Sequence, residues 1–232
     1  MFSFATAYPN LTQDQHRALP HVSNTDLSDL KAELLGQLRA LNPQALRFGA
    51  AFHAAVLEPA RYQPPEGVTP ANVRLLERLA AAIRRQRYCR DLLYRGAPEL
   101  THVAQHEATG LPVKVRPDLL LTSPRTGRRV AVDFKTTSAR DYAQFCATIE
   151  AYDYDRQAAL YADVLGAARF VIIGVQKRAP HEVWQVEVSA APGLLEQGRK
   201  KYSALLRHYA ARYPHRCLPV QVAFAAPAPC AA

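Results

Sequence analysis

Hydrophobic and polar positions divide the chain into a helical first part and a second part that contains strands. Leucines recur at helical spacing within HVSNTDLSDLKAELLGQL, namely Leu27, Leu30, Leu34 and Leu38. Ser23, Asn24 or Thr25 is the expected N-cap of this helix. Pro43 and Pro70 each follow a polar residue and predict the starts of two further helices. The first is PQALRFGAAFHAAVLEP, and the second is expected to run through Arg90 or beyond.

Apolar runs with strand character begin near residue 100. LTHVAQHE, LPVKVRPDLLLT and RRVAVDFKTT are separated by the turn-like stretches ATG and SPRTG, which predicts a three-stranded antiparallel meander. Two helices follow, SARDYAQFCATIE and YDRQAALYADVLG, and then the strands FVIIGVQK and EVWQVEVS. A last helix is expected from about Pro192 to Tyr213. This order predicts one α/β domain whose mixed central sheet is flanked by helices.

The domain is expected to cover residues 23–215, after an N-terminal segment of residues 1–22. Residues 216–232 contain the small-residue, proline-rich stretch AFAAPAPCAA, and we expect this tail to be disordered.

The stretch VAVDFKTTS places an aspartate and a lysine at the end of an apolar strand. Side chains alternate along a strand, so Asp133 and Lys135 share one face, about 7 Å apart, while Val132 and Phe134 take the other. A charged pair beside a core costs free energy unless a partner or a function compensates. A solvated pair at a strand end is the simpler interpretation.

A second aspartate, Asp118, follows Pro117 and opens another apolar stretch. If the two segments form a hairpin, Asp118 can approach Asp133 across the strand pair. Two adjacent carboxylates stay ionised only beside a cation, and a hard divalent ion with oxygen ligands meets that need. Lys135 would then lie next to the ion, where an ammonium can orient water or stabilise charge on a phosphate.

Two helical segments carry further candidate residues. His53 shares a helix face with Leu46, Ala50 and Leu57, so its side chain points at least partly inward. Gln157 and Tyr161 are four residues apart and face one side of the helix after the D-x-K strand. A core histidine and an ordinary amphipathic helix are the structural alternatives for these residues.

The net charge of +9 and the isoelectric point of about 9.6 favour a polyanionic partner, chiefly DNA or RNA. Basic side chains that could contact phosphates, although a solvated surface charge is the simpler interpretation of each one alone, are Arg84, Arg85, Arg87, Arg128, Arg129 and Lys177. The four scattered cysteines form no CxxC pair, and we find neither a secretory signal nor a membrane-length apolar run. A reduced, cytoplasmic setting is therefore expected.

Taken together, these motifs resemble the PD-(D/E)xK nuclease superfamily, and in particular its exonuclease VIII (RecE-type) branch of phage and prophage recombination exonucleases. The segments that carry the resemblance, spread over roughly His21 to Val188, are HVSNTDLSDL, FGAAFHAAVLEPARY, TGLPVKVRPDLLL, VAVDFKTT and YDRQAALYADVLG. The resemblance implies a restriction-endonuclease-like fold. It also implies a Mg²⁺-dependent enzyme, for which Mn²⁺ is a plausible substitute.

The resemblance further implies roles for individual residues. The metal ligands would be His53, Asp118, Asp133 and the main-chain carbonyl of Phe134. Lys135 would be catalytic, and Gln157 and Tyr161 would help to build the site. Relatives carry a glutamate shortly before the first sheet strand. Glu99 is the natural match for it, whereas Glu107 lies in an expected hairpin tip.

The implied activity is 5′-to-3′ degradation of linear double-stranded DNA, which would leave a strand for a single-strand annealing protein. Relatives form rings, so a homo-oligomer is expected. Three alternatives remain open at this point: an endonuclease or single-strand nuclease of the same superfamily, a related iron–sulfur nuclease, and a non-catalytic DNA-binding module. The wide spacing of Cys217 and Cys230 disfavours the iron–sulfur alternative.

Overall fold

Helices cover both faces of a mixed β-sheet in the computed structural model, which describes residues 1–37, 42–64 and 66–217. The helices are α1 Gln13–Ala18, α2 Asn24–Leu34, α3 Pro43–Leu57, α4 Pro70–Arg85, α5 Arg87–Arg95, α6 Tyr142–Ala151, α7 Tyr154–Leu165 and α8 Leu194–Arg212. The strands are β1 Thr6–Tyr8, β2 Ala97–Pro98, β3 Thr101–His106, β4 Leu111–Val115, β5 Leu119–Thr122, β6 Arg129–Thr137, β7 Ala167–Gln176 and β8 Val183–Glu187. Leu38 and residues 218–232, which include most of the tail expected to be disordered, lie outside the described residues.

The predicted helix starts are confirmed, and polar side chains cap them. Ser23 accepts a hydrogen bond from the backbone N–H of Asp26, and Asp26 accepts one from the backbone N–H of Ser23, forming a capping box. Pro43 and Pro70 begin α3 and α4, each after a capping side chain. The predicted apolar face of α2 is only partly correct. Leu27 and Leu30 are buried, but Leu34, at the end of the helix, is 50% exposed.

The predicted long helix from Pro70 is broken in two. Gln86 has an extended backbone with ψ of 121°, which ends α4 and begins α5. The break turns the chain so that Cys89 and Leu92 of α5 become buried. Neither a proline nor a glycine occupies this position, so the sequence gives no local signal for the break. Tertiary packing overrides local helix propensity here.

The main sheet has the strand order β2-β5-β6-β7-β8, and the smaller sheet has the order β1-β3-β4. Strands β6 and β7 are parallel, whereas the other pairs are antiparallel. The expected α/β class with a mixed central sheet is confirmed. The single meander is corrected: LPVKVRPDLLLT forms two strands, β4 and β5, which belong to different sheets. The chain changes sheet between Val115 and Leu119, the stretch that contains Pro117.

Two apolar cores pack on opposite faces of the main sheet. Val132 and Phe134 of β6 lie in the core shared with α3, α4 and α5. Ala131 lies in the core on the other side, with α6, α7 and α8. The predicted alternation of β6 is thus confirmed. Asp133 and Lys135, in phase with Ala131, lie on the α7 side.

The N-terminal residues contribute strand β1, which pairs with β3, and a bridge between Val22 and Val113. The boundary expected at residue 23 stays a prediction. Cys89, Cys146 and Cys217 are free thiols. Across the described ranges, no helix combines the length and the apolar character that crossing a membrane requires.

Candidate active site

The β5–β6 hairpin brings the two aspartates together. Leu119 pairs with Val132, and continuing this antiparallel register by one residue sets Asp118 opposite Asp133. Asp118 Oδ2 accepts a hydrogen bond of 2.5 Å from the backbone N–H of Phe134. Both carboxylates are buried, with Asp118 7% and Asp133 3% exposed. The approach expected from sequence is therefore present in the structure.

His53 reaches this pair from α3, far away in sequence. Its Nδ1 lies 2.9 Å from Asp118 Oδ1, so the imidazole and the carboxylate form a close pair. The neighbours of His53 on α3, Phe52 and Val56, are buried in the core beneath the sheet, and they fix the helix against β6. His53 thus joins the two buried carboxylates, with its own side chain 25% exposed.

Lys135 and Gln157 both contact Asp133. Lys135 Nζ lies 2.7 Å from Asp133 Oδ2, and Gln157 Nε2 of α7 donates a hydrogen bond of 2.9 Å to Asp133 Oδ1. The helix after the D-x-K strand therefore lies over the site, as the sequence predicts. The pair is not a solvated one at a strand end, because the Lys135 side chain is only 20% exposed and that of Asp133 4%.

Burial and mutual charge set opposite protonation tendencies in the two aspartates. Burial alone would raise the pKa of Asp118, but the His53 imidazole, the Lys135 ammonium and the Phe134 N–H lower it below its ordinary value. Burial raises the pKa of Asp133, and the nearby Lys135 ammonium lowers it. The charge of Asp118 raises it further, so the pKa of Asp133 stays above its ordinary value. Two like charges in one buried site thus make Asp133 the more readily protonated of the two carboxyl groups.

The pKa values of His53 and Lys135 are both raised. Burial would lower each of them, but the Asp118 carboxylate outweighs burial at His53, and Asp133 together with Asp118 outweighs it at Lys135. Lys135 is consequently an ammonium at neutral pH. In this arrangement it can donate hydrogen bonds and stabilise negative charge.

Tyr161 and Glu99 lie at the margin of the cluster. Burial, followed by the negative charge of Asp133, raises the pKa of Tyr161 to about 12, so its hydroxyl stays protonated and can act as a donor. Glu99 accepts a hydrogen bond of 2.9 Å from Arg116 Nη2, and its backbone N–H donates to the Asp118 carbonyl. Glu99 has a φ of 47°, an uncommon value for a non-glycine residue. Glu107 is exposed in the β3–β4 turn.

Two residues near the site were not singled out from sequence. The ring of Tyr154 lies 5.0 Å from Lys135 Nζ in cation–π contact, and Arg116 holds Glu99. The sequence position of each residue relative to a predicted site residue is the signal that would have identified it. Tyr154 is one helical turn before Gln157, and Arg116 directly precedes the Pro117-Asp118 pair.

Two cavities flank the buried cluster. The first, which we call the histidine-side cavity, has a volume of about 520 Å³ and is lined by His53, Gly49, Glu99 and neighbouring residues of α3. The second, the lysine-side groove, has a volume of about 310 Å³ and includes Lys135, Tyr154 and Lys177. The cluster is therefore accessible from both sides.

The side chains of His53, Asp118 and Asp133 are the candidate ligands for a divalent cation. Within residues 1–37, 42–64 and 66–217, no group of three His, Cys, Asp or Glu side chains is arranged to hold a metal ion. The donors bond to each other instead, through the His53–Asp118 and Lys135–Asp133 contacts. Asp133 Oδ2, however, is buried and has no hydrogen bond of good geometry. The donor chemistry fits a hard cation, provided that His53 exchanges its bond to Asp118 for the ion.

The basic residues that were candidates for phosphate contact divide into two groups. Arg84 donates to the carbonyls of Ala55 and Val56, and Arg129 donates to the carbonyl of Leu165. These two guanidinium groups cap helix ends. The side chains that are exposed are Arg85, Arg87 and Arg128, whereas Lys177 is half-buried in the lysine-side groove.

A family model described as "PDDEXK-like domain of unknown function (DUF3799)" matches residues 27–222. Among solved structures, a provisionally assigned exonuclease from Eubacterium rectale superimposes with a TM-score of 0.61 at 16% identity, over 90% of this chain and 86% of that chain. A phage related exonuclease from Haemophilus somnus 129PT has a TM-score of 0.45 at 12% identity, over 89% of this chain and 90% of that chain. A search of curated proteins found no match. At 16% identity, the first likeness shows the fold alone.

Proposed function

Since the chain belongs to the PDDEXK-like domain family, we propose that it is a divalent-metal-dependent deoxyribonuclease. The observation that carries this proposal is the convergence of two buried carboxylates, an imidazole and an ammonium from α3, β6 and the residue before β5. A purely structural role explains this cluster poorly, because buried ion pairs contribute little net stability compared with apolar side chains of similar volume.

Asp118, Asp133 and His53 would hold the ion, together with the main-chain carbonyl of Phe134. A bound Mg²⁺ would polarise a phosphoryl oxygen and make a bound water more acidic, and Mn²⁺ suits the imidazole ligand as a substitute. The position of Asp133 Oδ2 supports this assignment, since it is a buried oxygen whose close contact with the Lys135 ammonium, at 2.7 Å, is not a hydrogen bond of good geometry.

The remaining residues would position and stabilise the reacting groups. Lys135, as an ammonium, would orient the attacking water or stabilise charge that develops on the phosphate. Gln157 holds Asp133 through its amide, which keeps one carboxylate oxygen fixed. Tyr161 would serve as a hydrogen-bond donor at the margin of the site. We assign Glu99 a water-mediated or second-ion role in the histidine-side cavity.

The substrate that we propose is linear double-stranded DNA, degraded from the 5′ end to the 3′ end in phage-type recombination. The net charge of +9 supports a nucleic-acid substrate. The description of the Eubacterium rectale protein as an exonuclease agrees with attack at an end. By resemblance to exonuclease VIII, we further propose a homo-oligomeric ring and a single-strand annealing protein as partner.

The test compares wild type with Asp133→Asn on linear and circular duplex DNA, with Mg²⁺ or with EDTA. Asp91→Asn is the matched control, since Asp91 is exposed on α5, outside the cluster. We expect wild type and Asp91→Asn to degrade only the linear DNA, and only with Mg²⁺, whereas Asp133→Asn is inactive. Cleavage of the circle would instead indicate an endonuclease. Binding of DNA without any cleavage would indicate a non-catalytic DNA-binding module.

A further inference from the structure

The lysine-side groove has a composition that the proposed chemistry does not explain. It is lined by a run of hydroxyl-bearing residues at the end of β6, by aromatic rings and by two lysines; these residues are Thr136, Thr137, Ser138, Tyr152, Tyr154, Lys135 and Lys177. No aspartate or glutamate is among its described lining residues. A pocket of about 310 Å³ lies at the lower end of the range for small ligands.

The groove lies at a place where α/β sheets commonly bind ligands. Strands β6 and β7 are parallel and end together, and the backbone N–H of Lys177 donates to the Thr137 carbonyl at 2.8 Å. Ligands of open α/β sheets bind in the crevice beyond the carboxyl ends of such strands. Lys135 lines the same groove, so a ligand there would be continuous with the proposed active site.

Lys177 supplies a positive charge that lacks a counter-charge. Its Nζ lies 5.0 Å from the centre of the Phe48 ring, and burial lowers its pKa. Among the residues that the structure describes, no carboxylate pairs with it. Lys135, in contrast, is neutralised by Asp133. An anion in the groove would therefore find one half-buried ammonium free to pair with it.

Tyr152 and Tyr154 supply an aromatic surface in the same groove as Lys177. Tyr152 is 66% exposed, and its ring centre lies 5.8 Å from that of Tyr154. An exposed ring and an ammonium that line one groove match the two halves of a nucleotide, because a base can stack on the ring and a phosphate can pair with the ammonium.

We propose that the lysine-side groove binds an unpaired nucleotide of a single DNA strand, with the base stacked on Tyr152 and a phosphate next to Lys177. An unpaired base is required because bases inside a duplex have both faces covered by their neighbours. This inference rests on the proposed nuclease function. It adds a binding site for the DNA strand on the Lys135 side of the proposed active site.

The test is fluorescence anisotropy with a labelled oligothymidylate in EDTA, so that no cleavage contributes. Tyr152→Ala should weaken binding about 5- to 150-fold, the range for loss of one base–aromatic stack, and Tyr152→Trp should restore it. Lys177→Met should lower the slope of log affinity against log salt by about 0.7, the value for one lost single-strand phosphate contact. The matched control is Tyr94→Ala, because Tyr94 is 91% exposed on α5 and lies outside the groove.

Equal affinity of Tyr152→Ala and wild type would overturn the proposal, as would an equal loss in Tyr152→Ala and Tyr94→Ala. Absence of oligothymidylate binding by wild type would overturn it as well. The result is separable from the nuclease assay. Metal-dependent cleavage without a Tyr152 effect rejects the groove alone, whereas Tyr152-dependent binding without cleavage rejects the nuclease function alone.

Discussion

Gly198 of α8 lies where two helices approach closely, and replacing it with alanine should destabilise the protein. A Cβ at this position would overlap the main-chain carbonyl oxygen of Asp155 in α7 and lie 2.8 Å from Ala159 Cβ. The obstacle on one side is backbone, so no side-chain rotation relieves it. Helix α8 must move away from α7.

The expected cost combines three contributions. Overpacking a tight contact costs about 1–3 kcal/mol. Lys201, one turn after Gly198, would lose part of its contacts with Asp153 and Asp155, at 3.1 and 2.8 Å, and hydrogen bonds to charged groups contribute about 1.5–3 kcal/mol. Alanine returns up to about 1 kcal/mol through helix propensity. The net loss should be about 2–4 kcal/mol in the free energy of unfolding.

Gly49→Ala provides the matched control in another helix. A Cβ at Gly49 meets no heavy atom within 4 Å, so only the helix propensity gain applies, about 0.5–1 kcal/mol. In thermal unfolding followed by far-UV circular dichroism, we expect Gly198→Ala to lower Tm by roughly 5–15 °C and Gly49→Ala to raise it by roughly 1–4 °C. Shifts of the same sign for both variants would refute the reasoning.

The remaining predictions concern single side chains. Arg84→Met should lower Tm but leave the salt dependence of DNA binding unchanged, because Arg84 donates to helix carbonyls; a reduced salt slope would contradict this. Burial and nearby cations lower the pKa of His16 to about 4, so the unfolded chain takes up its proton more readily and stability should fall as the pH drops from 6.5 to 4. In urea titrations, the free energy of unfolding of His16→Asn should fall by up to about 3 kcal/mol less than that of wild type over this range, and an equal fall in both proteins would contradict the prediction. Gln157→Leu should lower the free energy of unfolding by about 1–3 kcal/mol, since Asp133 Oδ1 loses its donor; an unchanged urea midpoint would refute that contact.

Local rules account for the features that the sequence predicts correctly. The alternation of Val132, Asp133 and Phe134 determines which side chains face α7, because a strand offers only two faces. The register that pairs Asp118 with Asp133 follows from a short turn between two apolar strands, and such a turn limits the possible pairings. Both results depend on residues close together along the chain.

The features that the sequence does not predict depend on distant packing. The break at Gln86 and the change of sheet before Leu119 each bury side chains against elements that no local pattern specifies. The same holds for the electrostatics. Sequence places Lys135 next to Asp133, but the direction of its pKa shift depends on whether burial or the two carboxylates dominate.

The position of α7 connects the fold to both proposed sites. Its first turn is anchored by the buried Asp155, which binds Lys201 of α8, and by Asp153, which binds Lys31 of α2 at 2.5 Å. The same turn carries Tyr154 beside Lys135, and the next carries Gln157 to Asp133. We expect these ion pairs to hold the turn in place, because removal of a lysine would leave a buried carboxylate without its counter-charge. Since the close approach at Gly198 brings Lys201 within reach, a change there would shift Tyr154 and Gln157 together. Gly198→Ala should therefore weaken oligothymidylate binding as well as stability, and Gly49→Ala should not.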